Sequence, residues 1–71
     1  GILYTREMTL GRNAKRIADI LKSMGEEVRA DETIKEARGY YEKALQDPQV
    51  DAQEKDIITK EMSELTAAKQ P

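Results

Sequence analysis

The chain has 71 residues, 12 basic and 14 acidic, with a net charge of −2 and 37% charged side chains. At this length there is one small domain at most, burying about 60% of its unfolded-chain surface. It holds no cysteine and no histidine, which excludes disulfides and thiolate zinc sites and removes the usual general base and the best nucleophile.

The N-terminal residues 2–8 are ambiguous. Ile2, Tyr4, Arg6 and Met8 alternate with Leu3, Thr5 and Glu7, but neither set is cleanly apolar, as a half-buried strand requires. A short extra helix or turn is expected here first, an extended strand second.

The first main helix is expected from Leu10 to Gly25. Leu10, Ala14, Ile17, Leu21, Met24 and Val28 recur at steps of three and four, which sets them on one stripe, widened by Ile20. Arg12, Lys15, Arg16, Asp19 and Lys22 fall opposite. Thr9 is a candidate N-cap. Gly25 is a candidate stop, although Val28 stays in phase and leaves a helix running through Gly25 open.

A second helix is expected from Asp31 to Asp47. Asp31 serves as its cap, Ile34, Ala37, Tyr41, Ala44 and Leu45 form its stripe, and Tyr40 sits at the edge. Pro48 forces the stop. A third is expected from Ala52 to Lys69, opened by a capping box of Asp51 and Glu54. Ile58, Met62 and Leu65 form its seam, flanked by Ile57 and Ala68. Asp51–Lys55 and Asp56–Lys60 are acid-to-base pairs four apart on a solvated face.

These elements predict an all-α, three-helix up-down-up bundle covering residues 1–71 as one domain. Its expected core is Leu10, Ile17, Leu21, Met24, Val28, Ile34, Ala37, Tyr41, Leu45, Ile58, Met62 and Leu65. The first residue is Gly1 rather than Met, so a segment of a longer protein is expected. No apolar run reaches the ~20 residues that cross a bilayer, and no signal pattern opens the chain. A soluble, intracellular protein without membrane partners is expected.

Candidate chemistry is sparse. The carboxylate pairs Glu26–Glu27, Asp31–Glu32, Glu54–Asp56 and Glu61–Glu64 read as solvated faces and caps, because a catalytic pair requires a cleft that separates its pKa values. Gly11, Gly25 and Gly39 are isolated, so there is no phosphate loop, and no acidic run has calcium-loop spacing. No catalytic residue, metal or cofactor is expected.

Charge is polarised along the chain. Residues 1–25 hold five basic and two acidic side chains, and residues 26–71 hold seven and twelve. Arg12, Lys15, Arg16 and Lys22 are therefore candidate phosphate contacts. A strand over residues 2–8 followed by two helices turned at Gly25 resembles the ribbon-helix-helix regulators. The phrase ADETIKEARGYYEKAL is similar to their second helix, and the resemblance as a whole covers about two-thirds of the chain. The resemblance implies a strand-paired dimer that reads the major groove. This chain departs from it: Ile2–Met8 lacks separate polar and apolar faces, and Asp19 stands within the basic face.

A second resemblance concerns Ala37-x3-Tyr41-x2-Ala44-Leu45 followed by Pro48. It is similar to the second helix of a tetratricopeptide repeat, with Leu21, Met24, Gly25 and Val28 matching the first. The proline comes one residue early, and there is one unit where such repeats stack several. It implies a helical hairpin.

The expected function is a non-catalytic protein-interaction module, bound to another protein or to itself. Tyr40, Ile20 and Ile57 are its candidate contacts, since tyrosine is enriched at hot spots and the two isoleucines widen their stripes. The alternative is a small DNA-binding regulator using the four basic residues.

Overall fold

A computed structural model of the chain describes residues 6–68, and the side-chain surroundings of residues 6–65. It has three α-helices: α1 (Arg6–Ser23), α2 (Glu27–Leu45) and α3 (Ala52–Ala68). The expected all-α three-helix bundle is what forms. No strand occurs among the described residues.

Helix α1 starts a turn earlier than the spacing predicts. Arg6, Glu7 and Met8 belong to it, so neither a separate element nor a strand reaches Met8, and Thr9 lies inside the helix rather than capping it. Residues 2–5 lie outside the described residues. The early start places Met8 in the core, where it is fully buried.

Gly25 ends α1. Its φ of +82° is in the left-handed region that glycine enters without a Cβ penalty. The Glu26 amide donates to the Leu21 carbonyl at 2.9 Å and the Gly25 amide to that of Lys22 at 3.0 Å, the paired bonds of a Schellman stop. The chain reverses within this turn. Helix α2 therefore begins at Glu27, with Glu26 at the N-cap position, and Asp31 is an interior residue rather than the cap. Val28 joins α2 and is 76% exposed. The tetratricopeptide pattern breaks here, because Gly25 sits between helices and not within the first.

At the other end α2 stops at Leu45, two residues before Asp47, ahead of Pro48. Asp47 Oδ1 accepts the Gln49 amide at 2.9 Å, and the Val50 amide donates to the Asp47 carbonyl at 3.1 Å. This turn seats Val50 in the core. The capping box of α3 forms as expected: Asp51 Oδ1 accepts the Glu54 amide at 2.8 Å, and Glu54 Oε1 accepts the Asp51 amide at 3.0 Å. Glu54 is buried in the process. The expected end at Lys69 lies outside the described residues.

The main correction concerns how α1 is rotated. Its buried residues are Met8, Gly11, Ala14, Ala18 and Leu21. They meet a matching row on α2: Ala30, Ile34, Ala37, Tyr41 and Ala44. Small residues on both helices let the backbones close in, and the Tyr41 ring lies across Gly11. A Cβ on Gly11 would stand 3.3 Å from that ring. Two expected core residues are turned out by this rotation, Ile17 at 51% and Met24 at 63% exposed, and the third, Val28, is 76% exposed in the first turn of α2. The stripe of larger side chains is thus not the stripe that α1 buries. Leu21, Ile34, Ala37, Tyr41, Ile58 and Leu65 are buried as expected. Leu10 is half-buried, and Leu45 and Met62 pack at the core's margin.

Candidate functional site

Helix α3 lies along one side of the α1–α2 hairpin, and charge holds it to α1. Arg12 spans the gap as a fork: Nη2 donates to Glu61 Oε2 at 2.7 Å and Nε to Oε1 at 3.1 Å. The Tyr41 hydroxyl donates to the same Oε1 at 2.9 Å. One carboxylate thus ties all three helices together. A turn further on, Lys15 Nζ donates to Glu64 Oε1 at 2.8 Å. Glu61 and Glu64, expected on a solvated face, point instead at α1. The reason lies 49 residues away in sequence, in cations that only the folded chain brings opposite them.

Burial and bonding shift both the buried Tyr41 and the half-buried Glu61. Desolvation and the bond to Glu61 push the Tyr41 hydroxyl above the usual tyrosine range, so it stays a donor at neutral pH. The Arg12 fork, aided by the Tyr41 bond and opposed by burial, holds the Glu61 carboxyl below the usual glutamate range. A carboxylate lowered on folding adds stability above the ordinary value of about 4.3 and loses it as pH falls through the folded value. Glu61→Gln keeps an acceptor for Tyr41 and discards the charge. It should cost about 1 kcal/mol at pH 7, since the pair is partly solvent-screened. Denaturant titrations should show the two proteins converging as pH falls below about 4.

Between α1 and α3 runs a groove of about 560 Å³, lined on the α1 side by Arg12, Lys15, Arg16 and Asp19. Ile57, Lys60, Glu61 and Glu64 line the α3 side. Three of the four candidate phosphate contacts therefore open onto α3, and two of them, Arg12 and Lys15, already face carboxylates there. Arg16 is exposed, and Lys22 is half-buried in the last turn of α1. Among the described residues no three acidic side chains converge as a metal site requires, and no helix is long and apolar enough to cross a membrane.

The candidate interaction residues divide between two faces. Ile57, 41% exposed, belongs to the α1–α3 groove. Ile20, 58% exposed, lies elsewhere. At 100° per residue α1 turns Gly11, Ala14 and Ala18 to α2, and Arg12, Lys15 and Asp19 to α3. Leu10, Ile17, Ile20 and Met24 occupy the remaining flank. Tyr40 is half-buried and turned 100° from Tyr41, on the flank of α2 away from α3. Ile20 and Tyr40 thus share the hairpin face that α3 leaves uncovered, and Ile57 does not. Sequence reasoning placed Ile17 and Met24 in the core and so missed them as surface residues. Spacing carries no signal here, since the buried pairs Gly11–Ala18 and Ala14–Leu21 are seven apart as well.

No family model, curated protein or solved structure matches the chain.

Proposed function

We propose that this is a non-catalytic, intracellular protein-interaction module whose contact surface is the outer flank of α1. One observation carries the reading: Ile17, Ile20 and Met24 are each more than half exposed in a single row on the face opposite α3. Single exposed apolar residues are ordinary, but a contiguous row of this kind marks a contact surface. Tyr40, on the same side of α2 but level with the first half of α1, supplies an aromatic residue of the sort found at hot spots. The DNA-binding alternative finds less support in the geometry, because Arg12 and Lys15 are engaged by Glu61 and Glu64. Phosphate affinity would require those pairs to open.

The test is affinity capture with the wild-type chain and with Ile17→Glu/Ile20→Glu, each with and without nuclease. Capture of a discrete protein should survive nuclease and fall at least tenfold in the variant, with its helical circular dichroism unchanged. Capture that vanishes with nuclease, or that the two substitutions leave intact, would overturn the reading.

A further inference from the structure

The groove between α1 and α3 carries four cations and three carboxylates in a chain whose net charge is −2. Two ion pairs cross it, Arg12 to Glu61 and Lys15 to Glu64, and use two charges of each sign. Arg16 and Lys60 remain. Both are exposed, and neither forms an ion pair among the described residues. We propose that this groove binds a short aliphatic carboxylate, with its head between Arg16 and Lys60 and its tail against Ile57. The proposal concerns a different face from the apolar flank of α1 and stands or falls apart from it.

The positions follow from the two crossing pairs. Arg12 faces Glu61 and Lys15 faces Glu64, so α1 and α3 run parallel. At 100° per residue, Arg16 is the lining residue of α1 turned furthest from the buried row, and Lys60 is its counterpart on α3. The two cations therefore flank the mouth of the groove from opposite walls. In the register of the crossing pairs they are offset by about 7 Å along the helix axes, a gap that two long side chains close on one carboxylate. A guanidinium fork matches that group in shape as well as charge. The ends of the groove differ. Ile57, 41% exposed, lies one turn before Lys60 and offers apolar surface to a tail. Asp19, one turn beyond Arg16, repels a second anionic group at the other end. The site thus suits one negative charge with an apolar extension in one direction. Its volume of about 560 Å³ is in the range of small-molecule sites.

Hexanoate titrated into the 71-residue chain at pH 7, followed by amide chemical shifts, tests the proposal. Saturable shifts should centre on Arg16, Ile57 and Lys60, with a dissociation constant of about millimolar order, as a ligand this small allows. Arg16→Gln/Lys60→Gln should weaken binding roughly fivefold or more, the effect of two solvent-screened charge contacts, with helical circular dichroism unchanged. Lys35→Gln/Lys43→Gln, the same charge change at exposed positions of α2, should leave it intact. Acetate, which lacks the tail, should bind more weakly, and hexylammonium should not shift these amides. No saturable shift with hexanoate, an equal response to hexylammonium, or an equal loss in both double variants would overturn the proposal.

Discussion

Tyr41→Ala should lower the unfolding free energy by about 3–5 kcal/mol, the usual cost of removing a fully buried aromatic ring. A domain of this length has roughly 4–10 kcal/mol in all, so much of the chain should unfold at room temperature. Three roles converge on the residue. Its ring is fully buried, it covers Gly11 where the two helices meet, and its hydroxyl helps to hold Glu61 of α3. Tyr41→Phe separates these roles. It keeps the ring and removes only the donor to a charged acceptor, a loss of about 1.5–3 kcal/mol. Urea titrations followed by helical circular dichroism measure both. Equal losses in the two variants would mean that the ring contributes little.

Gly11→Leu is expected to be the second most damaging change, at about 3 kcal/mol, the upper end of the overpacking range. Glycine is a poor helix former, and alanine in its place would gain about 1 kcal/mol of propensity. Position 11 needs glycine for a tertiary reason. The Tyr41 ring is already within 3.3 Å of where a Cβ would stand, so a longer side chain must push α2 away. Thermal unfolding of the Leu variant should show a clear loss. A stability equal to wild type would mean that the helices are not this close.

Small residues also explain what the sequence hides. Hydrophobic periodicity weights Leu, Ile, Met and Val, so the row Leu10–Ile17–Met24 is read as the core stripe of α1. The row that packs is Gly11–Ala14–Ala18, whose advantage is close approach rather than apolar mass. Met8 and Tyr41 supply the bulk at that junction, one from a stretch with ambiguous patterning and one from another helix. Where local chemistry decides, the reading holds: the Asp51–Glu54 box opens α3 and Pro48 bounds α2. Gly25 is an intermediate case. Its role as a stop was one of two readings, and the apolar phase of Val28 supported the other. The turn satisfies the last carbonyls of α1 and frees residues 27–30 to extend α2, which buries Ala30.

The charge network belongs to the same class. Spacing along α1 shows that Arg12 and Lys15 share a face. It does not show that Glu61 and Glu64, 49 residues on, stand opposite them. Long-range pairing of this kind is fixed by topology. It gives a basic face suited to phosphate carboxylate partners on α3, and leaves an apolar flank of α1 exposed.

The most direct test of this account is the stability of Ile17→Glu/Ile20→Glu, measured by denaturant unfolding followed by helical circular dichroism. If these side chains face outward, as their exposure indicates, helicity should be retained and the free energy should change by less than about 1 kcal/mol. If the variant instead unfolds, with a loss of several kcal/mol typical of a charge placed in a core, α1 buries that row and the proposed contact surface does not exist.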